Sequence, residues 1–400
     1  MSAASHSVID PVELTRDLIR IPSVTPADEG AMDVLERTLT GLGFTCRRMV
    51  FEGPTGVGHD ARIENLYARR GTASPNLCFA GHTDVVPTGD LAAWTAAPFE
   101  GETRDGILYG RGAVDMKGGI AAWVAAVSRI LAHYAEEGGE VPGSLSFLIT
   151  GDEEGPALHG TKRVVEALMA EGEVIDACVV GEPSSAHHLG DMIKVGRRGS
   201  LNTWITVHGK QGHVAYPDRA ANPAPVVAKL LTRLDAHILD EGFPEFPPSN
   251  LEITTIDVGN PATNIIPAEA KARLNIRFNP THTGDGLIDW LNREAGALQA
   301  ETGLRIELEH MCSGEAFLTE PGVFISAVQD AVEATLGRRP EASTTGGTSD
   351  ARFIRSLCPV LELGLVGQTM HQIDERVPEA ELRALTDAYQ AVIATVFERL

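Results

Sequence analysis

The chain has 400 residues, 43% of them hydrophobic and 22% charged, a balance that excludes a disordered chain and gives room for about two or three domains. With 33 Lys+Arg against 55 Asp+Glu, its formal charge is −22, which excludes the broad basic face a nucleic-acid binder needs to displace counterions. The same sign opposes adsorption to an anionic membrane, so neither nucleic acid nor membrane is an expected partner.

In chain order, Val12 to Arg20 reads as a helix with Pro11 near its first turn, and Gly30 to Leu42 as a second, stopped by Gly41 and Gly43. Asn76 to Ala80 is a short apolar strand, Met116 to Ala132 an Ala/Val-rich helix, and Ser144 to Thr150 a strand. Thr161 to Ala170 is a helix and Ala177 to Val180 a strand. Apolar strands alternating with helices predict an α/β domain on a mostly parallel sheet. The pattern then changes. Ser200 to His208 alternates with period two, a helix follows over Pro223 to Leu239, and Asn250 to Val258 and Ala270 to Phe278 alternate again. That β-α-β-β order predicts a smaller α+β domain inserted at residues 199–311, between catalytic-domain parts at 1–198 and 312–400. From Phe317 the order returns to helix, Gly-rich loop, strand (Val360 to Gly364) and final helix.

Met1 to Asp10 has neither the basic nor the apolar region of a secretory signal. The longest small-apolar run, Gly118 to Ser128, is about half of the ~20 residues a membrane span needs. Cys46, Cys78, Cys178, Cys312 and Cys358 are scattered, with no C-x-x-C pair. A reducing cytoplasm is the expected compartment.

Chemistry-bearing residues gather where strands end. Gly81-His82-Thr83-Asp84 follows the first apolar strand; two residues apart on extended chain, His82 and Asp84 share a side, so Asp84 can hold the imidazole while its other nitrogen binds a metal. Asp115 precedes the Ala-rich helix. Gly151-Asp152-Glu153-Glu154-Gly155 and Gly181-Glu182-Pro183 follow two more strands, and His371 lies in a polar loop after the last. Singly, these read as solvated turns or a helix cap. Together they lie at the carboxyl ends of strands, where open α/β sheets gather ligands. Two histidines and three carboxylates suit two zinc ions, a bridging Asp joining one His and one Glu on each. Competing motifs fail by residue: H-E-x-x-H is absent, Gly347-Thr348-Ser349-Asp350-Ala351 lacks the final Gly of a hydrolase elbow, and Gly110-Arg111-Gly112 lacks the third Gly of a dinucleotide loop.

The blocks GHTDVVP (Gly81 to Pro87), YGRGAVDMKGG (Tyr109 to Gly119), TGDEEG (Thr150 to Gly155), GEPS (Gly181 to Ser184), GRRGS (Gly196 to Ser200), GKQGHVAYP (Gly209 to Pro217), NIIP (Asn264 to Pro267), GGTSDARF (Gly346 to Phe353) and GQTMHQIDERV (Gly367 to Val377) resemble those of the M20 family of di-zinc amidohydrolases and peptidases. The resemblance implies a di-zinc catalytic domain with an inserted domain that acts as lid and dimerises. It implies two Zn²⁺ per subunit, for which Co²⁺ can substitute: one held by His82, Asp115 and Glu182, the other by Asp115, Glu154 and His371. Glu153 falls at the general base, Asp84 at the partner of the first histidine, and His213 at a histidine acting across a homodimer interface. The implied reaction is hydrolysis of an amide in an anionic N-acyl amino acid. In a chain of −22, such a substrate calls for local cations, and Arg197, Arg198 and Arg277 are candidates, with Ser200, Tyr216, Asn264 and Thr345 as further contacts. A non-catalytic relative should have lost ligands; here all five positions and Glu153 are intact.

Overall fold

The computed structural model describes residues 8–54 and 60–400; residues 1–7 of the segment read for a signal lie outside the described residues. The chain forms two compact units. One runs through Val195 and is completed by Thr319–Ser343 and Ser349–Leu400; the other is Gly196–Leu318 with Thr344–Thr348.

Among the described residues, the first unit is built on an eight-stranded sheet in the order Thr45–Pro54, Asp60–Arg70, Ser144–Thr150, Asn76–His82, Ala177–Val180, Val360–Glu362, Met192–Lys194, Glu341–Ser343. The four strands from Ser144–Thr150 to Val360–Glu362 are mutually parallel. Every residue in them is buried, as expected of parallel strands covered on both faces. The sheet departs from a parallel plan at its flanks: Thr45–Pro54 and Asp60–Arg70 form an antiparallel pair that joins Ser144–Thr150 antiparallel.

The helix Lys117–Glu136 packs its small residues against the sheet, and Glu379–Arg399 packs beside it. Trp123 fills the space between them, stacked on Phe79 at 4.9 Å and meeting the edge of Tyr389 at 4.9 Å. Truncating so large a buried ring costs about 3–5 kcal/mol. The first helix, Pro11–Ile19, starts where expected, with Asp10 accepting from the Val12 and Glu13 N–H groups and Pro11 in its first turn. No helix among the described residues is long and apolar enough to cross a membrane.

The second unit carries an antiparallel sheet ordered Asn250–Asp257, Glu269–Phe278, Gly199–His208, Arg305–Gly314. Helices Ala224–Asp235 and Gly284–Thr302 cover one face, burying Leu201, Ile205 and Val207 against Val227, Leu230, Leu287 and Leu291. The expected β-α-β-β order therefore continues through a second helix and a fourth strand. The chain enters this unit at Gly196 and leaves at Leu318, outside the expected 199 and 311, because Gly196–Arg197 pairs with Phe317–Leu318.

Candidate metal centre

The parallel strands bring distant residues to one edge. Ala80 pairs with Val180 and His82 with Thr150, so neighbouring strand ends lie about 4.8 Å apart. His82 closes its strand, Glu153 and Glu154 follow Thr150, and Glu182 follows Val180. Asp115 comes from the loop before Lys117–Glu136, and the close approach of that helix to the strand ends leaves no room for a side chain at Gly119. A Cβ there would stand 2.5 Å from the Gly181 carbonyl oxygen. His371 is presented by the loop after Gly367–Thr369, with a backbone φ of +61°.

Two ligand sets result, His82–Asp115–Glu182 and Asp115–Glu154–His371, each with its ligand atoms within 4.8 Å of one another. Asp115 belongs to both: Oδ1 lies 3.2 Å from His82 Nε2 and Oδ2 lies 3.1 Å from His371 Nε2. His82 Nε2 is 3.7 Å from Glu182 Oε1, and His371 Nε2 is 2.7 Å from Glu154 Oε1. His82 Nε2 and Asp115 Oδ1 are both buried and neither makes a hydrogen bond. Buried ligand atoms that each present a lone pair, with no donor between them, fit a cation, and the arrangement is a dinuclear metal-binding site.

The carboxylates of the site act strongly on both histidines. Burial opposes a charged His82, but Asp115, Glu182 and Asp84 outweigh it and hold its pKa well above 6.5. Asp115 and Glu154 raise His371 to about 10. Burial raises Glu182 well above the glutamate range, with Asp115 adding to the effect. Burial pulls Asp115 the same way, but His371 and His82 outweigh it and set its pKa low.

Asp84 is arranged differently from the simple expectation. His82 Nδ1 lies 2.9 Å from the Asp84 backbone carbonyl and 3.7 Å from its carboxylate. The carboxylate instead accepts from Glu153 N at 3.2 Å and Glu154 N at 3.0 Å, so it orients the adjacent glutamates. Burial pushes it up to about 7. Burial also raises Glu153 well above its usual range; His82 opposes this, and Asp350 and Glu154 add to it.

Sequence reasoning missed Arg111 and Glu375. Both are buried and they form an ion pair at 2.7 Å behind the Asp115 loop. Their only signal was placement: Arg111 lies between two glycines ahead of Asp115, and Glu375 lies four residues beyond His371.

The remaining predicted residues lie in the second unit. His213 is exposed on the two-residue strand Gly212–His213, its ring 5.7 Å from Tyr216, and Val214 N donates to the Asn264 carbonyl at 3.1 Å. These three therefore form one surface cluster. Buried Arg197 donates to the Thr345 carbonyl at 3.0 Å. Ser200 stands opposite Arg277 in the sheet, and Arg198 donates to Asn250 at 2.9 Å beside them. Burial and the nearby Arg198 guanidinium pull the Arg277 pKa below its usual value.

The sequence pattern of peptidase family M20/M25/M40 matches residues 78–395. The chain belongs to this family. Among M20 relatives, it is 64% identical over 391 residues to succinyl-diaminopimelate desuccinylase of Caulobacter vibrioides (strain NA1000 / CB15N), covering 97% of this chain and 96% of that one. It is 62% identical over 397 residues to succinyl-diaminopimelate desuccinylase of Phenylobacterium zucineum (strain HLK1), covering 99% and 100%. The M20 fold recurs in the crystal structure of the metallo-carboxypeptidase Sso-CP2 from Sulfolobus solfataricus, with a TM-score of 0.77 at 16% identity, covering 98% and 100%.

Proposed function

We propose that this chain hydrolyses the amide of N-succinyl-LL-2,6-diaminopimelate to succinate and LL-2,6-diaminopimelate, a step of lysine and diaminopimelate biosynthesis. The observation that carries the reading is 64% identity to a desuccinylase across 97% of the chain. It is supported by an intact dinuclear ligand set. Zinc is the metal we assign, since two imidazoles and three carboxylates match its preferences, and Co²⁺ tolerates the same donors.

Two divalent ions held by His82, Asp115, Glu182, Glu154 and His371 would supply Lewis-acid polarisation of the amide carbonyl and would acidify the attacking water. Glu153 takes a proton from the attacking water and returns it to the leaving nitrogen. The Asp84 carboxylate holds the backbone of Glu153 and Glu154, so that one side chain ligates while its neighbour moves protons. The substrate has three carboxylates, which we assign to Arg197, Arg198 and Arg277, with Ser200 and Thr345 beside them. His213, Tyr216 and Asn264 form the cluster we assign to a partner subunit's active site, in a homodimer through the inserted unit. There His213 stabilises the developing oxyanion. The cytoplasm is the compartment this reading assigns.

The test is a steady-state comparison of succinyl-diaminopimelate with acetylornithine on zinc-reconstituted protein. Higher kcat/KM for the succinyl substrate supports the reading; faster acetylornithine hydrolysis overturns it in favour of a deacetylase of the same family.

A further inference from the structure

We infer that Glu375 is a positioning residue for the metal centre, its carboxylate tying the loop that carries Asp115 to the loop that carries His371. The inference rests on the dinuclear reading of those ligands. Glu375 has no exposed surface, and each carboxylate oxygen takes two donors. Oε1 accepts from Val114 N at 2.9 Å and from Asp115 N at 3.1 Å. Oε2 accepts from Gly112 N at 3.1 Å and from Arg111 Nη1 at 2.7 Å. The Glu375 carbonyl accepts from Gly110 N at 2.9 Å. One residue of the histidine loop thus binds five donors across the segment ending at Asp115.

The histidine loop needs such an anchor. His371 and Asp374 both have left-handed backbones, at φ +61° and +58°. Residues other than glycine hold that conformation only where their surroundings fix it. Here Arg111 also donates to the Gln372 carbonyl at 3.2 Å, and its guanidinium carbon lies 5.3 Å from the centre of the Trp94 ring. On the loop's other side, the Asp374 carboxylate accepts from Thr95 N at 2.8 Å and Thr95 Oγ1 at 3.0 Å. Because Asp115 reaches both histidines, moving its backbone alters both ligand sets at once.

Glu375→Gln keeps the shape but removes the charge and turns one of the two acceptors into a donor, leaving two of the four donors facing it unmatched. Zinc titration of metal-free protein, by calorimetry with chelator competition, should show two ions in the wild type. The variant should bind both roughly 10–100-fold more weakly, the cost typical of losing a group that orients metal ligands. Its kcat should fall at saturating zinc while KM stays within about twofold, because Glu375 does not face the substrate. Glu375→Asp keeps the charge but is one methylene shorter, and should bind zinc more weakly than wild type and more tightly than the Gln variant. If Glu375→Gln does not fold, the Asp variant decides. A variant that folds, melts at lower temperature and binds both ions with wild-type affinity overturns the inference, leaving Glu375 a structural residue only. Failure of the wild type to bind two ions overturns the metal-centre reading instead.

Discussion

Gly119→Ala probes how closely the helix Lys117–Glu136 must approach the strand ends. The added Cβ would lie 2.5 Å from the Gly181 carbonyl oxygen, and ordinary contact begins near 3.5 Å, so helix and strand end must part by about 1 Å. The obstructing atom is backbone and cannot rotate aside. Two stability effects oppose each other. Overpacking costs about 1–3 kcal/mol, and replacing glycine within a helix returns about 1 kcal/mol, so the net loss is about 0–2 kcal/mol. Function should suffer more, because the separation occurs between Asp115 and Glu182, and a misplacement of about 1 Å can cost 10²-fold in rate. The assay is kcat/KM on zinc-loaded protein together with zinc affinity. Gly296→Ala serves as control: it lies in the helix Gly284–Thr302 with nothing within 4 Å of its Cβ, and should stabilise by up to about 1 kcal/mol with activity unchanged. Wild-type kcat/KM and zinc affinity in Gly119→Ala would refute the claim that this close approach assembles the site.

Removing zinc with a chelator should abolish hydrolysis, and Zn²⁺ or Co²⁺ should restore it; activity persisting in verified metal-free protein contradicts the mechanism. His371→Ala should bind one ion tightly through His82, Asp115 and Glu182 and the second at least tenfold more weakly, read by metal analysis after dialysis. Two ions held as in wild type would remove His371 from the ligand set. Arg197→Ala should raise KM for the succinyl substrate about tenfold or more, the ~1.5–3 kcal/mol expected of a hydrogen bond to a charged partner. An unchanged KM would remove Arg197 from the substrate site.

The strands Asn76–His82, Ser144–Thr150 and Ala177–Val180 were legible because they are buried on both faces and read as short, largely apolar segments. Thr45–Pro54 and Asp60–Arg70 were not, because they carry many charges. In the fold several of these charges meet opposite ones, Arg48 alone contacting Asp33, Glu36 and Glu64. The helix Gly284–Thr302 was masked by three glycines, although Leu287, Leu291, Ala295 and Leu298 form its buried stripe. The candidate metal ligands could be read as one group because strand ends converge whatever the sequence separation. The clamp behind them could not. Arg111 and Glu375 are 264 residues apart, and nothing in an arginine between glycines names its partner. Burial alone shows that this pair is internal, whereas ion pairs such as Arg129 with Asp387 lie in solvent.

The most direct test of the central claim, amide hydrolysis at this dinuclear centre with Glu153 moving the proton, is Glu153→Gln assayed with succinyl-diaminopimelate after zinc loading. The account predicts two bound ions and a kcat lower by at least the ~10²–10⁴-fold typical of a general base. Two bound ions with near wild-type turnover would contradict it.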